Sequence, residues 1–317
     1  MLFSTRFTNS PVLEDPEKEV EKEENAIDRT PYPYQQYGRI KLYHSKTGET
    51  EEIPLDEYLY GVVAAEMPAS FEKEALKAQA IVARTYTIYK ITSGQKHEGA
   101  SICDDSTCCQ AWISKEDRFA KWKEEERQSN WDKIVSAVQE TKGKMITYEG
   151  KAINAFFHSN SGGRTETPAG VWGGEGYPYL QVVETAGEDA YSQYASEVTI
   201  SKQELVEKLK AEHPEVEIDF SKQDWYQILE YTQGDRIKTI RIGNVELSGV
   251  EVRTLIGLRS ANFTITMEEE NVTFEVKGYG HGVGMSQTGA DSLAKQGQNW
   301  EQIIHHFYQG VEIINMN

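Results

Sequence analysis

The chain is predicted to be an α+β protein, with mixed helices and mainly antiparallel strands around a substrate groove and an extended acidic N-terminal arm. Three observations predict this. Helical and alternating apolar periodicities are interspersed without the strict strand–helix alternation of a doubly wound sheet. Of the 317 residues 38% are hydrophobic and 26% charged, which supplies the apolar surface for one large domain or two modest ones. Acid is concentrated at the start: between Glu14 and Asp28 eight acidic residues meet two lysines, and Pro11, Pro16, Pro31 and Pro33 punctuate the stretch. Residues 1–37 therefore read as an arm or membrane-proximal tether that cannot bury enough apolar surface to order itself. Residues 38–317 read as the folded domain, with 190–275 as a possible subdomain.

Arg39 to Tyr43 alternates and reads as a strand, and Gly48 marks a turn. Leu55, Leu59, Val62, Val63 and Glu66 share a helical face that ends at Met67-Pro68, because the residue before proline avoids helical angles. A second helix is expected from about Phe71 to Tyr89, capped by Ser70, with Leu76, Ala80, Ala83 and Tyr86 as its buried stripe. Residues 94–112 read as a loop, followed by a helix near Trp131–Thr141. Two strands flank the turn signal Glu149-Gly150, the second running over Ala152–Phe157. Ser201, with Glu204 three residues on, opens a short helix to Ala211. Strands are expected near 226–232, 236–247, 262–267 and 272–277, and helices over Val250–Leu258, Ser286–Lys295 and Trp300–Tyr308.

The net charge of −18 repels phosphate backbones and argues against nucleic acid as a partner. No run of about 18 apolar residues is present, so no membrane span lies within the sequence, and the start lacks the apolar core of a signal peptide. Three cysteines, all between 103 and 109, suit a local metal site or one local bridge better than a disulfide framework.

Four segments carry candidate chemistry. Glu66 closes an apolar helical face at the end where the helix dipole disfavours a carboxylate, and partial burial there raises a carboxyl pKa toward that of a general acid. A glutamate curling out into solvent is the plain alternative. His97, Cys103, Cys108 and Cys109 offer the ligand types zinc prefers. Adjacent cysteines strain a shared ion, so one of Cys108 and Cys109 is expected to be spare; a disulfide from Cys103, or buried thiols, are the other readings. His158 to Thr165 follows a strand and places polar groups at a sheet end. Gly278 to Gly289 holds five glycines in twelve residues and permits close backbone approach, either packed on the catalytic helix or cradling a polymer. A dinucleotide loop does not fit, since the acidic residue on a following strand is missing, and no organic cofactor is expected. Trp112, Trp172, Tyr177 and Tyr179 offer stacking faces for sugars, or core.

Tyr58 to Pro68, Glu74 to Tyr86, Phe157 to Gly163 and Gly278 to Ala290 together resemble, in order, the signatures of the stage II sporulation protein D family. The resemblance covers roughly residues 38–315 and favours the endospore-former proteins over the shorter amidase-enhancer relatives. It implies a lytic transglycosylase that cleaves the MurNAc–GlcNAc bond of peptidoglycan glycan strands to a 1,6-anhydro product. The strands are those stripped of stem peptides, and the setting is engulfment of the forespore. The family's catalytic glutamate carries over onto Glu66, and a zinc-binding set onto His97, Cys103 and Cys109, with Cys108 where another ligand can stand. Tyr86, His158, Ser159, Ser161, His281, Ser286 and Gln287 are the candidate groove residues. Implied partners are the glycan, a sporulation amidase/endopeptidase and a membrane scaffold protein of the engulfment complex. The implied location is the extracytoplasmic face of the mother-cell membrane, between mother cell and forespore, with the membrane anchor outside the sequence given. The alternative is a non-catalytic glycan binder that enhances a partner hydrolase; a metal-dependent hydrolase centred on His97 and the cysteines ranks third.

Overall fold

The computed structural model describes residues 32–94, 97 and 99–316, and most of the acidic arm lies outside the described residues. Residues 32–37 are packed onto the fold. Tyr32 and Tyr37 are buried, and the Ala152 amide donates to the Tyr32 hydroxyl at 2.8 Å. The short helix α1 (Tyr34–Tyr37) leads into a hairpin of β1 (Arg39–Tyr43) and β2 (Thr50–Pro54).

Helix α2 (Leu55–Glu66) buries Leu55, Leu59, Val62 and Val63 completely, as their spacing predicts. Helix α3 (Lys73–Thr92) departs from its expected stripe: it is buried on nearly every side, because α2, three later helices and strands surround it. Ser70 does not cap it. The Glu72 amide instead donates to Asp291 Oδ1 at 2.6 Å, a capping bond supplied from 219 positions away. Arg84 lies fully buried on α3, and its guanidinium donates to the Thr141 carbonyl at 2.9 Å and the Lys144 carbonyl at 3.1 Å. Desolvation lowers its pKa to about 10, which still leaves it cationic.

The loop that follows contains β3 (Ile102–Cys103), which pairs in parallel with β1, and ends in α4 (Lys115–Lys121), a helix with no sequence forecast. Then come α5 (Glu124–Glu140), β4 (Lys144–Tyr148) and β5 (Lys151–Ala152). Glu149 and Gly150 both adopt positive φ, 51° and 72°, as a tight hairpin turn demands. The expected strand Ala152–Phe157 is broken in two. Its first residues pair with β4, while β6 (Phe157–His158) turns to a different, parallel partner. Helix α6 (Pro168–Trp172) completes this stretch.

Residues between 195 and 277 build a second core. It comprises β7 (Ala195–Ser201), α7 (Lys202–Glu212), β8 (Tyr226–Tyr231), β9 (Ile237–Ile242), β10 (Val245–Ser248), α8 (Gly249–Ile256), β11 (Phe263–Met267) and β12 (Asn271–Lys277). Two antiparallel sheets, β10-β9-β8 and β11-β12-β7, enclose Leu205, Ile240, Val252 and Phe274. The predicted strand 236–247 is two strands, because Gly243 takes a positive φ of 59° and reverses the chain.

The chain then returns to the first core through β13 (Met285–Ser286), α9 (Gln287–Lys295), α10 (Trp300–Phe307) and β14 (Glu312–Asn315). Strand β13 is the parallel partner of β6, and β14 adds to β4. The mix of helices and mainly antiparallel sheets is α+β, as predicted. Among the described residues no helix is long and apolar enough to cross a membrane.

Candidate active site

Glu66 is the last residue of α2, half-buried, in the wall of a cleft of about 240 Å³. Burial raises its carboxyl above the ordinary value of 4.5. Two neighbours oppose that without reversing it: the Ala111 amide donates to Oε1 at 2.6 Å, and the Gln287 side chain also favours the ionised form. A carboxyl that holds its proton longer than usual, yet has a donor ready for the anion, can give up a proton and take one back. Among the described residues no second carboxylate lines the cleft; Ser159, Gln193, Gln287, Thr288, Arg118 and Phe71 complete most of its wall.

Ser159 and Gln287 thus meet Glu66 from segments more than 90 and 220 positions away. Gln287 reaches the cleft because Ser286 caps α9 and starts it there. Its Nε2 is buried in the cleft wall beside the Glu66 carboxyl, short of full hydrogen-bond geometry. The anchor of this wall is Glu188, which has no signature in the sequence beyond an acid in a turn-rich stretch. Its buried carboxylate accepts from the Ser161 amide at 3.0 Å, the Gly163 amide at 3.1 Å, Thr185 Oγ1 at 2.6 Å and Thr288 Oγ1 at 3.0 Å, and from the Ser286 hydroxyl. One carboxylate therefore joins the 159–163 turn to the start of α9.

The other candidate groove residues fall elsewhere. Ser161 and Ser286 are buried in the Glu188 network. His158 is buried, with Nδ1 at 3.1 Å from the Val283 carbonyl and Nε2 at 2.9 Å from Ser161 Oγ, so the carbonyl selects the tautomer protonated on Nδ1. Desolvation, reinforced by His281 and Arg236, holds its pKa well below 6.5. His281 accepts the Val283 amide on Nδ1 at 3.0 Å, and desolvation pushes its pKa down to about 3. Tyr86 is nearly buried between the thiol cluster and Glu66, and burial keeps its hydroxyl protonated. The glycines of the 278–284 loop pack mainly on residues 156–162, and only the end of the segment, at Gln287, meets α2 at Glu66. A Cβ on Gly284, whose φ is 73°, would fall 1.9 Å from the Phe156 carbonyl oxygen. Of the stacking candidates, Tyr179 is core and Trp112 lies against Gly61 of α2. Trp172 is 51% exposed, on the rings of Phe156 and His281 at 4.9 and 5.2 Å.

His97, Cys103, Cys108 and Cys109 converge, with one donor atom from each all within 4.8 Å of one another. Cys108 Sγ lies 3.6 Å and Cys109 Sγ 4.0 Å from His97 Nε2, and the two sulfurs are 3.9 Å apart. Both adjacent cysteines belong to the cluster, and no disulfide joins any of the three thiols. Zinc–sulfur bonds of about 2.3 Å in a tetrahedron put neighbouring donors about 3.8 Å apart. The cluster has that spacing and that donor chemistry. Two residues beyond Cys109 comes the Ala111 amide, and between them Gln110 is buried, donating to Tyr58 Oη at 2.8 Å and Thr87 Oγ1 at 2.9 Å. The thiol loop is thereby tied to the donor on Glu66.

The sequence model described as "SpoIID: Stage II sporulation protein" matches residues 43–148, a span that holds Glu66, the thiol cluster and Ala111. Stage II sporulation protein D of Bacillus amyloliquefaciens is 38% identical over 277 residues, 86% of this chain and 78% of that one. The chain belongs to the stage II sporulation protein D family. The homologue from Bacillus subtilis is 36% identical over 276 residues, with the same shares of both chains. The amidase enhancer of Bacillus subtilis is 31% identical over 306 residues, 80% of this chain and 40% of that one, so it is the longer relative and not the shorter. What distinguishes Glu66 among this family member's described acidic residues is its position: the carboxyl is enclosed in a cleft, whereas most of the others face solvent.

Proposed function

We propose that the protein is a lytic transglycosylase acting on peptidoglycan glycan strands, with Glu66 as its single catalytic acid and base. The observation that carries this is one carboxyl of raised pKa in a cleft with no second carboxylate among the described residues. Hydrolases of glycosides ordinarily need two carboxyls, one to protonate the leaving oxygen and one to act as nucleophile or to activate water. A muramic ring carries its own nucleophile. Glu66 gives its proton to the bridging oxygen as the C1–O bond breaks. The 6-hydroxyl then closes on C1, and Glu66 takes that hydroxyl's proton, so the carboxyl is restored and no water is consumed. The Ala111 amide stabilises the carboxylate between the two transfers, and Gln287 Nε2 is a donor for substrate oxygen. Product analysis by mass spectrometry tests the reading: anhydro ends support it, and ordinary reducing ends throughout would mean hydrolysis.

The thiol–imidazole cluster fits a zinc ion held by His97, Cys103, Cys108 and Cys109. With four protein ligands such an ion would have no open position and would be structural, holding the loop from which Ala111 donates to Glu66. Metal analysis of the native protein against Cys103→Ser tests this.

We place the reaction outside the mother-cell membrane during engulfment, on strands stripped by a partner amidase or endopeptidase, with a membrane scaffold protein as second partner. A surface fusion accessible to external protease tests the location. The amidase enhancer relative favours a second reading, a non-catalytic glycan binder that stimulates a partner hydrolase. That reading predicts glycan binding without products and indifference to Glu66→Gln.

A further inference from the structure

Arg118 is the other charged group lining the Glu66 cleft. It stands half-buried on α4, its guanidinium over the Trp122 ring at 4.8 Å from the centroid. Trp122 fixes the plane of the guanidinium but accepts no hydrogen bond in that geometry. Arg118 Nε is buried without a partner, and among the described residues no carboxylate forms an ion pair with this side chain. The neighbouring acids on α4, Glu116 and Asp117, are exposed.

In the two fully enclosed arginines Nε is likewise without a partner, and the difference from Arg118 lies in their terminal nitrogens. Arg84 donates to backbone carbonyls of Thr141 and Lys144, and Arg236 to those of Ser161, Arg164 and Gly234. Among the described residues Arg118 has no such set of acceptors. Glu66 is not that partner. A stable pair would hold its carboxyl low, whereas it is held high, and burial alone acts on Arg118. A half-buried guanidinium with no acceptor among the described residues, beside the proposed catalytic carboxyl, is complementary to an anion that arrives with the substrate.

We propose that Arg118 is a specificity-determining residue that binds a carboxylate carried by the substrate sugar next to the scissile bond; this rests on the glycan-cleaving reading above. On a muramic ring that group is the 3-O-lactyl carboxyl. It is a free anion when the stem peptide has been removed and an uncharged amide when the peptide remains. A planar guanidinium takes a carboxylate through two parallel hydrogen bonds, while an amide offers one oxygen and no charge. Arg118 therefore separates stripped from peptide-bearing strands at the site of cleavage. It does so by local charge, against the repulsion of an acidic chain.

The test measures binding apart from turnover. Glycan oligomers of equal length, with lactyl groups either free or converted to methylamides, are titrated calorimetrically into full-length Glu66→Gln protein. With Arg118 present, the free-acid glycan is expected to bind about ten- to a hundredfold more tightly, the range of a charge-assisted hydrogen bond. Adding Arg118→Gln should bring both glycans to the methylamide affinity, and Arg118→Lys should restore part of the preference. Equal weakening on both glycans, no change on either, or no preference in the Arg118 protein overturns the proposal. The two readings fail separately. An Arg118-dependent preference in a native chain that cleaves neither glycan defeats the catalytic reading alone. Equal cleavage of both glycans by the native chain defeats the Arg118 reading alone.

Discussion

Glu66→Gln isolates one proton from everything else the side chain does. The amide has nearly the same volume, and its oxygen can still accept the Ala111 amide, which lies 2.6 Å from Oε1 in the native cleft. Packing of α2 is therefore expected to survive, and what is lost is the capacity to donate and recover a proton. Positioned general acid–base catalysis contributes about 10²- to 10⁴-fold, or about 3–5 kcal/mol of barrier at 1.36 kcal/mol per tenfold. The loss should lie toward the upper end, because both half-steps use the same carboxyl and no second carboxylate among the described residues lines the cleft. The assay is release of anhydro-ended fragments from purified glycan strands, quantified by mass spectrometry against native protein. Stability supplies an independent sign. The folded state holds the Glu66 proton more tightly than the unfolded chain does, so ionising it costs stability as pH rises from the ordinary value of 4.5 through the raised one. Glu66→Gln escapes that cost. It should melt higher than native protein at neutral pH and equal to it at pH below about 4. Cleavage within threefold of native, or a melting difference of the opposite sign at neutral pH, would refute the reasoning.

Four further outcomes follow from the same geometry. Cys103→Ser, or exhaustive chelation, should remove the metal and lower both melting temperature and glycan cleavage, read by elemental analysis and calorimetry; a native protein that reconstitutes no metal would defeat the cluster. Glu188→Gln should destabilise the protein by about 3–5 kcal/mol, measured by denaturant titration, because its buried carboxylate serves five donors and faces the buried Arg236 cation. Gly61→Ala should cost about 1–3 kcal/mol and reduce cleavage beyond what its stability loss explains: the added Cβ would fall 2.2 Å from Trp112 Nε1, next to the Ala111 donor. Native stability should fall on acidification from about pH 6.5 toward 3, since the unfolded chain binds a proton that buried His281 refuses until about 3; His281→Gln should flatten that limb in a melting-versus-pH series.

Elements with local codes were legible in the sequence. The helix ending at Glu66, the Ser201-capped helix and the Glu149-Gly150 hairpin each follow from spacing or turn chemistry within a few residues. Those set by distant partners were not. Residues 152–157 read as one strand because strand propensity is local, while the exchange from β4 to β13 depends on where residue 285 arrives. The Ser70 cap failed for the same reason, since Asp291 competes from another helix. His158, Ser161 and Ser286 looked like ligand-binding groups because polar residues after a strand usually face solvent. Here the glycine-dense loop closes over them, a buried glutamate binds the Ser161 amide and the Ser286 hydroxyl, and His158 is satisfied by the Val283 carbonyl and Ser161.

Sequence alone determined the helix that presents Glu66, the four metal-type donors between 97 and 109, and the family they belong to, since each is written in residues close together along the chain. Tertiary structure decided which groups share the cleft. The Ala111 amide, Gln287, Ser159 and Arg118 come from four segments whose meeting no local periodicity encodes. It also decided that Cys108 and Cys109 both turn inward, and that Glu188 holds the wall together. The physical reason is range. Helical spacing and turn preference act over a few residues, whereas burial of a carboxyl, and hence its proton affinity, depends on everything that packs around it.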